Sequence, residues 1–218
     1  MKKVIIFLLS LIVMNLSFSM SDTQAKTKFT LHTYNHNKHV QYYSISGEKY
    51  KAVNSKMKSK AKYINKRDIE NRETAAYSPY NESFYDTLKP SVKYHSSKRI
   101  SILAREHWYA GGEMDYIYHS YNLVNGKQIT LKSTFKSKTA YKKANKQVSN
   151  YLRKKLKYGA NINENDRVTY SGKLVLDEAD AFYWTKKGLY VVYDTGTIAP
   201  VAAQQQIVHV SNKYAKYY

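Results

Sequence analysis

The chain has 218 residues, no cysteine, 23 tyrosines and a formal net charge of +20. The missing thiols exclude disulfides, thiol catalysis and cysteine-ligated metals, so packing alone must hold the fold; a domain near this size buries roughly 70% of its unfolded surface, enough to do so. The charge favours anionic partners, although drift toward Lys, Asn, Ile and Tyr produces the same bias without any function.

Lys2 and Lys3 precede an apolar run from Val4 to Val13, and small residues follow at Ser17, Ser19 and Ala25. This is the n-, h- and c-region order of a secretory signal peptide over residues 1–25, with cleavage after Ser19 or Ala25. The apolar run is short for a membrane span of about 20 residues, and no other segment is long and apolar enough. The expected product is secreted, extracellular or wall-associated, with no stable transmembrane segment after cleavage.

Two strands are expected at Phe29–Tyr34 and Val40–Ile45, separated by a polar linker, and Gly47 breaks the pattern. Val53, Met57, Ala61 and Ile64 recur at helical spacing, with lysines at other positions. Arg67–Glu82 is polar and without period. Strands are then expected at Ser91–Tyr94, Ile100–Tyr109, Met114–Val124 and Gln128–Leu131, with turns at Gly111-Gly112 and Asn125-Gly126. The second turn is a type I′ hairpin signal. Both faces of Met114–Val124 are aromatic, so one is expected against a helix and the other with tyrosine hydroxyls in water.

Lys138–Tyr158 has the strongest helical pattern, with Tyr141, Ala144, Val148, Tyr151, Leu152 and Leu156 as its buried stripe and Gly159 as its stop. Asn161–Arg167 reads as a loop. Phe182–Thr185 and Leu189–Tyr193, joined by Lys186-Lys187-Gly188, form a hairpin. An irregular loop, Asp194–Pro200, leads to a last strand at Gln206–Val210. The expected fold is α+β: two small subdomains, each a helix packed on antiparallel β-hairpins, over 26–135 and 136–218 with the boundary near Phe135.

Phe182-Tyr183-Trp184-Thr185, then Gly188-Leu189, then Ile198-Ala199-Pro200 before a small-residue segment and a closing strand, resembles the C-terminal module of the RsiV-like family. That module occurs in the extracellular half of a lysozyme-sensing anti-sigma factor and ahead of the catalytic domain of PdaC-like peptidoglycan deacetylases. Ser46-Gly47, the helix carrying Asn54, Tyr109–Gly112, Tyr121-Asn122, Asn125–Leu131 and Phe135 resemble the module that precedes it. Together the two cover about residues 40–211. The resemblance implies a ligand-binding ectodomain. In the lysozyme-sensing branch the loop equivalent to Asp194–Thr197 carries a tyrosine and then an acid; here Gly196 and Thr197 stand in those places. The catalytic deacetylase domain and its Thr-Phe-Asp-Asp motif are not found.

His32, His36 and His39 could converge on zinc, but no nearby acid orients them, and they read as solvated loop histidines. Asp177, Glu178 and Asp180 could form paired carboxylates or a calcium site; the plainer reading is an acidic loop offsetting lysines. No nucleophile-elbow, metalloprotease or phosphate-loop motif is present. A secretion signal argues against a nucleic-acid partner. No cofactor and no metal are expected.

These residues point to a non-enzymatic binding protein that recognises an anionic wall glycan, polymer or peptidoglycan through a basic surface and irregular loops. The alternatives are a lysozyme-like muramidase as partner, as the resemblance implies, or an enzyme without a recognisable motif. The candidate ligand-binding residues are Trp108, Tyr109, Gly111 and Gly112, with Asp194, Thr195, Gly196 and Thr197 in the late loop.

Overall fold

Val53, Met57, Ala61 and Ile64 all face one way on α1 (Lys51–Ala76), and all are buried. The computed structural model describes residues 27–77, 84–110, 113–157, 160–163, 168–169 and 171–216. The signal-peptide residues, Gly111, Gly112 and Gly159 lie outside them. α1 continues through Arg67 to Ala76, where the sequence pattern had no apolar period, because its second half buries the polar Asn65 and Asp68. The fold class is α+β, as expected.

α1 covers one face of a six-stranded sheet in the order β1 (Phe29–Tyr34), β2 (Asn37–Ile45), β3 (Phe84–His95), β4 (Arg99–Ala110), β5 (Glu113–Val124), β6 (Lys127–Gln128). β2 and β3 run parallel, joined at Val40 and Leu88 with α1 as the crossover; the other neighbours are antiparallel. β1 keeps its expected bounds and β2–β5 exceed theirs, β3 most of all, but the strand expected over Gln128–Leu131 is only the two-residue β6, because the chain leaves the sheet for a 3-10 turn at Lys132–Thr134. Asn125 and Gly126, with φ of 50° and 81°, close β5–β6 as the Asn-Gly signal requires. Asn54 of α1 pairs both backbone groups of Ile45, accepting from its N–H at 2.9 Å and donating to its C=O at 2.8 Å.

A second sheet, β7 (Ala181–Thr185), β8 (Gly188–Tyr193) and β9 (Gln206–Val210), packs against α2 (Lys138–Leu156). Ser137 caps α2 by accepting the Ala140 N–H. Tyr141, Ala144, Val148 and Leu152 are buried on it, but Tyr151 is 46% exposed and Leu156 only half-buried, because the stripe centres on Val148 and Leu152. Their core includes Trp184, Leu189, Val191 and Tyr193. Phe135 belongs to this core too, and it bridges Ala215.

The face of the first sheet opposite α1 is not left to water. Leu103 and Tyr118 on it meet Ala181, Tyr183 and Val192 of the second sheet. β7 arrives edge-on: Trp184 N–H donates to Ser101 Oγ (3.0 Å), and Asn122 Nδ2 donates to Phe182 C=O (2.6 Å). Ser101 in turn donates to Asn122 Oδ1 (2.5 Å). Side chains of β4 and β5 thus satisfy the strand edge that would otherwise lack a neighbour.

Candidate functional site

Sheet register decides which side chains share a face. On the outer face, Tyr85, Thr87 and Lys89 of β3 lie opposite Tyr109, His107 and Arg105 of β4, and His107 and Arg105 lie opposite Tyr116 and Tyr118 of β5. The rings interlock: Tyr85 stacks on Tyr109 at 5.3 Å, His107 stacks on Tyr116 at 4.6 Å, and Tyr85 meets His107 edge-on at 5.5 Å. Arg105, exposed, lies 5.3 Å from the Tyr116 ring centre. The four rings are each half-buried, so they hold one another while keeping part of their surface in water. Burial, then Arg105, lowers the His107 pKa against the pull of Asp86, so its ring is neutral at physiological pH. Its Nε2 is buried without a hydrogen-bond partner.

Trp108 and Tyr109, expected to act together, point to opposite faces because they are consecutive in a strand. Tyr109 joins the outer ring cluster; Trp108 lies opposite Asp86 and Asp115 on the α1 side.

The late loop sits at the edge of β5. Asp194 accepts the Tyr118 N–H, at 3.1 and 3.2 Å from its two oxygens. Asp180 Oδ2 accepts from the Asp194 N–H (2.7 Å) and the Thr197 hydroxyl (2.8 Å), and Thr197 N–H closes the turn on Asp194 C=O (3.2 Å). Gly196, at φ 83°, supplies the left-handed position and is exposed; Thr195 is half-buried. Ile198 is buried, so Ile198-Ala199-Pro200 anchors the loop in the core. Burial first, then the charge of Asp180, pushes the Asp194 carboxyl up to about 7; the Tyr118 N–H opposes the shift, and Asp115 and Glu106 add to it. This corner is locally acidic although the protein is basic.

Under the second half of α1, Arg67 bonds both Asp86 and Glu106. Glu106 also pairs with His119 Nε2 at 2.6 Å; Asp86 accepts from Asn71 Nδ2 (2.7 Å) and donates its N–H to Asp68 (2.9 Å). Asp86 is 0% and Glu106 2% exposed. Burial works against the Glu106 charge, but His119 and Arg67 outweigh it and hold the carboxyl below the usual range; burial raises Asp86. Two buried carboxylates might suggest acid–base chemistry. Here both are saturated by protein partners, and the arrangement fastens α1 to the sheet.

The other candidates stay apart. His32 bonds Ser44 Oγ at 2.7 Å and stacks on Tyr42, while His36 and His39 are exposed. Asp177 binds Tyr141 and Lys132, Glu178 accepts from Ser171, and Asp180 serves the loop. Among the described residues no group of three or more His, Asp or Glu could hold a metal. Gly111 and Gly112 lie outside the described residues. Tyr85, Arg105, His107 and Tyr116 were not singled out from sequence; period-two alternation across three adjacent strands was the signal that could have found them.

No protein-family model matches the chain, and no curated protein matches it. Its fold is similar to that of a crystal structure of a DUF3298-family member from Bacteroides fragilis. That structure is 14% identical with a TM-score of 0.51, over 86% of this chain and 91% of that chain. A DUF3298-family protein from Pseudomonas aeruginosa is 11% identical with a TM-score of 0.48, over 88% and 92%.

Proposed function

We propose that the protein is a secreted, non-enzymatic binding protein of the RsiV-like kind, acting at a bacterial cell surface on an anionic wall glycan or polymer. The observation that carries this reading is the outer-face cluster of Tyr85, His107, Tyr109 and Tyr116 beside Arg105, with ring surface left open on a rigid sheet. Partly exposed rings that already hold one another offer apolar contact to sugar rings and cost little entropy to immobilise. A net charge of +20 draws anionic groups toward the surface as a whole. The RsiV-like and PdaC-like modules belong to the DUF3298 family, in agreement with this reading.

One observation favours the second reading, a basic lysozyme-like muramidase as partner: Asp180 and Asp115, near an Asp194 that loses its proton only at about pH 7, make an acidic corner at the edge of β5. Against it, Gly196 offers no side chain where a buried anchor would be needed.

Retention of purified protein on isolated cell walls, with and without their teichoic polymers, at low and high salt tests the proposal. Binding should weaken steeply with salt. A Tyr109→Ala, Tyr116→Ala double variant should bind at least ~10-fold more weakly. Unchanged retention by that variant would remove the ring cluster from the reading. Sub-micromolar calorimetric binding of an animal-type lysozyme, lost on changing Thr195–Thr197, would replace the polymer by the muramidase.

A further inference from the structure

Away from the ring cluster, at the start of α2, a cavity of about 430 Å³ is lined by four lysines, Lys132, Lys138, Lys142 and Lys216. Phe135 and Tyr141 provide an apolar floor, edge to face at 5.0 Å and 85°. One carboxylate, Asp177, also lines it, and it is already engaged: Lys132 Nζ is 2.9 Å away and the Tyr141 hydroxyl donates to it at 2.6 Å. Burial opposes its charge, but those two partners and Lys173 hold the carboxyl below its ordinary value, so it stays ionised. With Lys132 paired to Asp177, Lys138 and Lys142 keep the lining net positive among the described residues.

The walls are tied in place. Lys136 N–H donates to Tyr214 C=O (3.1 Å) and Lys216 N–H to Thr134 C=O (2.6 Å), so residues 214–216 are fixed beside the turn that carries Lys132. Lys138 and Lys142 are one helical turn apart on α2, a like-charge pair that repels unless an anion lies between. The cavity exceeds what a bare inorganic anion fills and lies within the usual range for small-molecule sites, about 300–1,000 Å³. Lysine acts as a point charge with rotatable donors, which suits a tetrahedral phosphate; planar carboxylates are typically gripped by the arginine fork, which this lining lacks.

We infer that this cavity is a binding site for a phosphate ester, its phosphate held by Lys138 and Lys142 and its uncharged part against Phe135 and Tyr141. The inference rests on the reading of the protein as a binder of anionic wall material and deepens it: one built pocket, not only a diffuse surface, takes the phosphate. The ester could be a repeat of a wall polymer or a free small molecule.

Amide chemical shifts of the full chain, titrated with phenyl phosphate, glycerol 3-phosphate and polyglycerol phosphate, test this. Saturable shifts confined to the cavity residues are expected with both monoesters, phenyl phosphate binding more tightly because of the floor. Lys138→Ala with Lys142→Ala should weaken both by about tenfold, whereas Lys58→Ala with Lys62→Ala on α1, an equal loss of charge, should change them less than about twofold. Equal losses in the two double variants, or no saturable shift with either monoester, would overturn the site. Monoester binding that depends on Lys138 and Lys142, without retention of the polymer, would leave the pocket standing and end the wall-polymer reading.

Discussion

Arg67 on α1 binds Glu106 on β4, and the same guanidinium nitrogen binds Asp86 on β3, so one side chain closes a helix over two strands. Asp86 and Glu106 share the inner face of the sheet, where they would repel each other without the cation between them.

Removing that cation leaves the buried Asp86 side chain with only the Asn71 amide, and Glu106 with His119 and a Lys60 ammonium 4.0 Å away. Arg67→Ala is expected to destabilise the protein by about 3–5 kcal/mol, lowering Tm by roughly 6–20 °C. Arg67→Lys should recover only part, because the shorter lysine does not carry its ammonium to the place of the one guanidinium nitrogen that serves both carboxylates. Thermal unfolding followed by circular dichroism checks both; a loss under about 1 kcal/mol for Arg67→Ala would mean that water replaces the guanidinium.

Asp194 gives a pH dependence of definite sign. Its folded-state value is about 7 against an ordinary 3.8, so between those values the folded chain keeps a proton that the unfolded chain has released. Stability from this group therefore falls as pH rises from about 4 to about 7 and is level above. Asp194→Asn retains an acceptor for the Tyr118 N–H without the charge. It should match the parent near pH 4 and exceed it by about 1–2 kcal/mol at pH 8, after allowing for solvent screening. Denaturant unfolding at pH 4, 5.5 and 8 decides; parallel curves for the two proteins would contradict the assignment.

Gly188 closes the β7–β8 turn at φ 137°, and a Cβ there would run into Asn212 Oδ1 and lie 2.6 Å from His209 Nε2. Gly188→Ala should cost about 2–3 kcal/mol. Adding Asn212→Ala should return only part of the steric share, because His209 Nε2 still lies 2.6 Å from the new Cβ, and the backbone share of about 1 kcal/mol remains. Chemical denaturation of Gly188→Ala, Asn212→Ala and the double variant separates the two.

Ser101 and Asn122, directly opposite each other across β4 and β5, carry the contact with β7. Asn122→Ala strands the Phe182 carbonyl and is expected to cost about 2–3 kcal/mol. Ser101→Ala should cost less once Asn122 is gone, a coupling of about 1 kcal/mol in a double-mutant cycle. Additive losses would show that the relay is not a unit.

The first half of α1 was readable because Val53, Met57, Ala61 and Ile64 mark a helical face; the second half was not, because Asn65, Asp68 and Arg67 are buried or bonded as polar groups and leave no hydrophobic period. The hairpin at Gly188 was readable for the opposite reason: its turn chemistry is local. The outer-face rings depend on the register of three strands, and the lysine cavity on Lys132 and Lys216 meeting through the pairing of Phe135 with Ala215. Neither meeting is written in any one segment. The edge-on docking of β7 hid for another reason: Ser101, Ser120 and Asn122 look like ordinary solvent-facing alternation.

The parallel joint between β2 and β3 sets an order of events in time. β2 leaves the ribosome before α1, and its partner strand leaves after it. A lone two-stranded hairpin is marginal in water, so β1–β2 has no stable existence during that interval. Its inner edge, including Val40, stays open until all of α1 and the Leu88 region of β3 have been made. The β1–β2 hairpin is thus made before the partners that complete its pairing, and until then its exposed edge is where an unfinished chain would meet a chaperone or a neighbouring copy.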